Sequence, residues 1–400
     1  MKTLSLKIQH IEESQTLAFT RIVEKMKAAG IDVVSLNAGE PDFPTPPHVK
    51  MAAIQAIEEN FTHYTANQGI PKLIAAIISK FAVDNDLHFE PSQILVSTGT
   101  KQAIFNALQA ICNPGDEVVI PAPYWVSYPE MVKLADARPV IVPTTLESGF
   151  KMTPLQLRKA INTKTKALLL NSPSNPTGSM YSQGELEEFA DIVEETGIFV
   201  ISDEIYEKIV YDGPKHFSIG NIKQIRDQVI TVNGVSKAYA MTGWRIGYLG
   251  ASNQVAAAAA KVQSQVTSNA NSIAQRAATV ALSAPSNDVD TMVTEFKRRR
   301  DFLMGECAKI PGIEISKPKG AFYFFPSMKA FIGKRIDGER IKDDEDLCRF
   351  FLNDQQLVMV PGSAFGAKDH VRISFASSMK ELEKAVQRLK EGCRKLHEGF

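Results

Sequence analysis

Ala167-Leu168-Leu169-Leu170, a polar loop, a helical stretch from Gln183 to Thr196, and then Ile198-Phe199-Val200-Ile201: this segment decides the fold. Both four-residue runs are apolar at every position. A strand with one wet face alternates apolar and polar residues, whereas a strand covered on both faces is apolar throughout. The pattern repeats outward. Upstream lie Ile94-Leu95-Val96-Ser97, a helical stretch Gln102 to Ile111, Glu117-Val118-Val119-Ile120 and Pro139-Val140-Ile141-Val142. Downstream lie Val229-Ile230-Thr231-Val232 and Ile246-Gly247-Tyr248-Leu249. Buried strands separated by helices predict an α/β protein, with a mainly parallel sheet as the middle of three α/β/α layers.

The tail reads differently. A helical stretch from Ser286 to Ile310 stops at Pro311-Gly312. Short strand-like runs follow at Ile313–Ser316, Ala321–Phe325, Val358–Val360 and Val371–Phe375, with helical stretches at Glu345–Asn353 and Met379–His397. This predicts a smaller α+β domain. The N-terminal stretch, with a helical segment Leu17–Ala29, is expected to join it. The expected division is a large domain over residues 46–285 and a discontinuous small domain over 1–45 and 286–400.

The 400 residues fit two domains at roughly 150 residues each. Lys+Arg and Asp+Glu number 45 each, so the net charge is zero. Nucleic acid is therefore excluded as the main partner, because phosphate binding needs a basic surplus. Lys297-Arg298-Arg299-Arg300 reads as a solvated helix face. No apolar run approaches the roughly 18 residues of a membrane span. The start, with Lys7, His10 and Glu12, has no signal-peptide core. Cys112, Cys307, Cys348 and Cys393 are scattered without CxxC spacing. Neither a metal site nor a disulfide framework is expected, and a reducing cytoplasm fits best.

Several segments carry chemistry. In Thr231-Val232-Asn233-Gly234-Val235-Ser236-Lys237, a lysine follows a buried strand in a turn of small residues, and Arg245 lies eight positions on. Burial lowers a lysine's pKa and makes it a nucleophile. Ser236 and Arg245 suit an anion. A loop lysine beside an arginine packed on Trp244 is the plainer alternative. Asp203, in Ser202-Asp203-Glu204-Ile205-Tyr206, ends a strand where α/β sheets bind ligands, or else caps a turn. Asn171-Ser172-Pro173-Ser174-Asn175-Pro176-Thr177-Gly178 is a rigid loop that either presents Asn175 or is only a turn. Gly99, Thr100 and Lys101 open a helix, where backbone N–H groups suit a phosphate. Trp125, bracketed by prolines, either stacks on a flat ligand or packs in the core. The turn at Gly39, in Asn37-Ala38-Gly39-Glu40-Pro41, allows close approach of a ligand.

The ordered set NSPSNPTG, SDEIYE, SKAYAMTGWRIGY and HVRISFA resembles the class I aminotransferases, pyridoxal-phosphate enzymes of fold type I, and most of all their bacterial aspartate aminotransferases. The likeness runs from about Asn37 to Phe375. It implies that Lys237 bonds covalently to pyridoxal phosphate, that Asp203 pairs with the protonated pyridine nitrogen, and that Tyr206 and Asn175 hydrogen-bond the phenolic oxygen. It also implies that Trp125 stacks on the ring and that Gly99, Thr100, Lys101, Ser236 and Arg245 surround the cofactor, together with Tyr64 from a neighbouring subunit of a homodimer. Arg372 would bind the substrate α-carboxylate with help from Gly39 and Asn175. Lys101 and Thr16 would meet a distal carboxylate, in a site shared by amino acids and 2-oxo acids. Prephenate, arogenate, aromatic or alanine specificity is the alternative, with a non-catalytic pyridoxal-phosphate-binding regulator behind it, and the acids in Ile11-Glu12-Glu13 weaken the prephenate reading.

Overall fold

A seven-stranded sheet carries the architecture, and its strand order explains where the chemistry lies. Across the sheet the strands are Ile94–Ser97, Gly247–Gly250, Val229–Gly234, Phe199–Asp203, Thr165–Asn171, Glu117–Ala122 and Arg138–Pro143. Gly247–Gly250 is antiparallel to both its neighbours, and the other pairings are parallel. Those other strands therefore all point the same way. The computed structural model describes residues 4–13, 15–213, 215–336 and 338–399.

The apolar runs are covered on both faces, as expected. In Thr165–Asn171, Ala167 and Leu169 point into one core and Leu168 and Leu170 into another. Each leucine buried in this way contributes roughly 1.5–3 kcal/mol. Helix Thr100–Ile111 packs on helix Asn253–Val266 over the first core. Helix Gln183–Thr196 covers the second with Leu186, Phe189, Ile192 and Val193. Its ends are set locally. Ser182 and Glu185 form a capping box, and Gly197 closes it at φ 70°. Arg138–Pro143 departs from the pattern: it is the edge strand, and it is largely exposed. Prolines at 139 and 143 blunt that edge against further pairing.

The remaining strands are short. Val360–Pro361, Val371–Ser374 and Tyr323–Phe324 form an antiparallel sheet, and Val34–Ser35 pairs in parallel with Leu357–Val358. Helices Asp288–Cys307, Asp344–Gln355 and Met379–Glu398 pack around them. The run expected as one strand at 358–360 splits at Met359 between two sheets. The run at 321–325 is shortened because Ala321 sits at φ 56°, outside strand geometry. Ile313–Ser316 is not a strand; only Glu314 bridges, to Ser327.

The basic run is a correction. Arg299 and Arg300 are buried, not solvated. Arg299 pairs with Asp42 and Glu295, while Arg300 pairs with Asp212 and Asp301 and donates to the Pro318 carbonyl. Lys297 and Arg298 keep the exposed role. Among the described residues, no helix is long and apolar enough to cross a membrane.

Candidate active site

The carboxyl ends of the parallel strands open into a cavity of about 510 Å³. Asp203 ends one strand and Asn171 the next. Lys237 arrives in the turn that joins Val229–Gly234 to its antiparallel neighbour Gly247–Gly250. The reversed strand thus makes this connection a direct turn beside the strand ends. Gly39, Thr100, Lys101, Trp125, Asn175, Asp203, Tyr206, Ser236, Lys237, Arg245 and Arg372 all line the one cavity. Contributions from residues 37–40, 323 and 372 mean that both ends of the chain reach it.

Lys237 donates to the Gly39 carbonyl. Burial lowers its pKa to about 8; Glu40 pulls the other way, and Arg245 and Arg372 push it down further. About a tenth of the amine is then neutral at pH 7, far more than for an ordinary lysine, and the neutral form is the nucleophile. Asp203 is fully buried. Burial raises its pKa to about 6 against a hydrogen bond from Tyr128 that lowers it. The Tyr128 hydroxyl donates to its Oδ2 at 2.6 Å, and the Ile205 N–H donates to Oδ1 at 3.3 Å.

Tyr206 is buried with its hydroxyl 3.0 Å from that of Tyr323. Arg372 is 2% exposed. It donates to Asn175 Oδ1 at 3.0 Å and to the Asn37 carbonyl at 2.7 Å, and lies 4.7 Å over the Tyr323 ring. Among the described residues no carboxylate pairs with Arg372, and its Nε has no hydrogen-bond partner. A buried guanidinium without an acid is poised for an anionic ligand. Lys101 Nζ lies 4.8 Å over the Trp125 ring, and burial, then Arg245, lowers its pKa.

The phosphate end is built by close approach. Gly99 caps helix Thr100–Ile111 at φ 82°, and a Cβ there would collide with the Arg245 guanidinium. A Cβ at Gly247 would strike the Thr100 backbone. The helix N-terminus and Arg245 can therefore converge on one anion. Thr100 Oγ1 is buried without a partner, as a phosphate ligand should be before its anion arrives. A lysine, an acid facing it, an aromatic plate and this cradle fit pyridoxal phosphate.

Of the expected residues whose side chains are described, Tyr64 and Gly99 are not in the cavity lining of their own chain. Tyr64 is 92% exposed. Thr16 lies in helix Gln15–Ala28, and its side chain falls outside the described residues. The structure adds Tyr128, Tyr323, Asn171, Glu40 and Thr242 to the lining. Thr242 donates to Glu40 at 2.6 Å. Behind Asp203, Glu204, Glu207 and His216 bring ligand atoms within 4.8 Å. Lys80 already pairs with Glu207. His216 lies 3.1 Å from Glu204; burial alone would lower its pKa, and Glu204 more than reverses this. Lys80 thus balances Glu207, and Glu204 favours the charged form of His216.

Comparison with known proteins agrees with this geometry. The pattern of the family "aminotransferase class I and II" matches residues 31–389. The bifunctional aspartate aminotransferase and glutamate/aspartate-prephenate aminotransferase of Petunia hybrida is 46% identical over 394 residues, 97% of this chain and 82% of that protein. Aspartate aminotransferase of Rhizobium meliloti superposes with a TM-score of 0.96 at 42% identity, covering 99% of this chain and 100% of that one. Aspartate aminotransferase of Thermus thermophilus, solved with maleate, has a TM-score of 0.93 at 40% identity, covering 98% and 100%. The parallel sheet, the lysine turn at its strand ends and the agreement across nearly the whole chain place this protein in the class I and II aminotransferase family.

Proposed function

We propose that this enzyme moves the amino group of L-aspartate to 2-oxoglutarate, giving oxaloacetate and L-glutamate, with pyridoxal phosphate as cofactor. The observation that carries the specificity is a pair of cations in one cavity: buried Arg372 without an acid partner, and Lys101. A dicarboxylic amino acid needs both, one for each carboxylate.

When bound, pyridoxal phosphate supplies an aldehyde that takes up an amine and a ring that accepts electrons released at Cα. The protein does the rest. Lys237 would hold the cofactor covalently and would move a proton at the substrate Cα, as base and then acid. Asp203 would keep the pyridine nitrogen protonated. Tyr206 and Asn175 would hydrogen-bond the phenolic oxygen, and Trp125 would stack on the ring. Gly99, Thr100, Ser236 and Arg245 would hold the phosphate. Arg372, with Gly39 and Asn175, binds the α-carboxylate through parallel N–H bonds and so orients the Cα–H bond. Lys101 and Thr16 receive the distal carboxylate.

Residues 46–285 form the cofactor domain in this reading, and 1–45 with 286–400 the smaller one; both contribute to the cavity. The active form is a homodimer in which Tyr64 completes the partner's phosphate site. Its support is the exposure of Tyr64, six residues after a helix, Pro47–Glu58, that itself exposes Met51, Ile54 and Ile57. The free cysteines suit the cytoplasm; cell fractionation that recovers the enzyme outside it would contradict this placement.

A donor panel with 2-oxoglutarate as acceptor tests the specificity. Aspartate is expected to exceed alanine and phenylalanine in kcat/KM by at least about 100-fold, because losing a buried charged partner costs that much. A higher value for either monocarboxylic donor would overturn it, and turnover with prephenate as acceptor would show the wider range that the name of the Petunia relative carries.

A further inference from the structure

We propose that Tyr128 is a positioning residue of the cofactor site: its phenol O–H fixes the Asp203 carboxylate in one orientation, as an anion, toward the pyridine nitrogen. The inference rests on the pyridoxal phosphate reading above. Its geometric basis is a buried pair. Tyr128 is 2% and Asp203 3% exposed, and the O–H···O distance is 2.6 Å. Among the hydrogen bonds of the described residues, Tyr128 is the one side chain that donates to the Asp203 carboxylate; Asn171 donates to the Asp203 backbone carbonyl instead, and the other carboxylate oxygen has only the 3.3 Å bond from the Ile205 N–H.

Three features make the contact directional. Tyr128 lies in the first turn of helix Ser127–Leu134, and its backbone N–H bonds the Trp125 carbonyl at 2.9 Å. Its ring meets Trp125 edge to face, at 5.4 Å and 87°. Its ring is held in the core with Val132, Leu169 and Ile201. The phenol therefore has little freedom, and the carboxylate it bonds inherits that rigidity. One residue thus braces both Trp125, against the ring face, and Asp203, at the ring nitrogen.

The chemistry sets the direction of the bond. Burial works against a charged Asp203, and Glu204 beside it adds repulsion; Lys237 and the Tyr128 bond oppose them. Burial and the facing carboxylate both strengthen the phenol's hold on its proton, so Tyr128 acts as donor only. An O–H donor to a carboxylate is among the stronger hydrogen bonds, and it favours the ionised acid. The protonated ring nitrogen is thereby met by an anion held in place.

The test is cofactor affinity, measured by titrating apoprotein with pyridoxal phosphate for wild type, Tyr128→Phe, Asp203→Asn and the double variant. Tyr128→Phe keeps the ring and removes the donor. It is expected to raise the Kd about ten-fold or more, the usual size for a bond to a charged group. In the Asp203→Asn background the same change should alter the Kd by less than about two-fold, because the bonded anion is gone. Tyr128→Met repeats the comparison if Tyr128→Phe does not fold. An unaltered Kd in Tyr128→Phe, or an equal loss in both backgrounds, would overturn the proposal and leave the cofactor reading intact. A wild type that takes up no pyridoxal phosphate would overturn both.

Discussion

Lys237→Ala is expected to abolish transamination, lowering kcat by at least about 10⁴-fold, and to remove the visible absorbance of the bound cofactor. No other amine can replace it. Lys101 is directed onto the Trp125 ring, and the next basic groups, Arg245 and Arg372, are guanidinium cations without a free amine. The loss is large because one side chain has two tasks, holding the cofactor and carrying the Cα proton. Its pKa near 8 adds a pH signature. Capture of the cofactor by wild-type apoprotein should quicken as pH rises through about 8, as the amine becomes neutral and nucleophilic. Retained visible absorbance in the variant would refute the assignment. The same variant tests the shared site. Mixed with Tyr64→Ala under conditions where subunits exchange, Lys237→Ala should regain activity in hybrid dimers. No recovery would contradict a shared active site.

Arg372→Lys is expected to lower kcat/KM for aspartate by about 10³-fold with little change in cofactor absorbance. The charge survives, but the planar fork does not. Two parallel charge-assisted bonds to the α-carboxylate become one, and the Cα–H bond loses its orientation. The local structure also suffers. Arg372 spans Asn175 Oδ1 and the Asn37 carbonyl while stacking between the rings of Tyr323 and Phe365. A lysine cannot meet all four. The comparison that matters is between substrates: the loss should be similar for every α-amino acid, because the α-carboxylate is common to all. Lys101→Ala, by contrast, should penalise aspartate more than alanine. A loss in Arg372→Lys confined to aspartate would reverse the two assignments.

The fold was legible wherever burial was complete on both sides. Ala167-Leu168-Leu169-Leu170 and Ile198-Phe199-Val200-Ile201 are apolar because cores press on both faces, and no partner need be known to see this. At the margins the signal fails for physical reasons. Arg138–Pro143 looks like its neighbours in sequence yet lies at the exposed edge. Arg299 and Arg300 look solvated, but their counter-charges Asp42 and Asp212 are distant in sequence. The site divides the same way. Lys237, Asp203 and Asn175 stand in segments whose local chemistry marks them. Tyr128 and Tyr323 do not, because their roles arise from partners 75 and 117 residues away. Tyr323 sits in an aromatic run that reads simply as a strand. Tyr128 opens the helix just after Trp125, and nothing local says that it faces Asp203.

The sharpest check is the holoenzyme mixed with L-aspartate and no 2-oxo acid. Because one cavity serves both substrates in turn, a single turnover is expected, with about one oxaloacetate released per active site and loss of the original visible band. Once aspartate is removed, addition of 2-oxoglutarate should restore the band and release about one glutamate per site. Continuous oxaloacetate release without an acceptor, or no release with the cofactor fully bound, would contradict it.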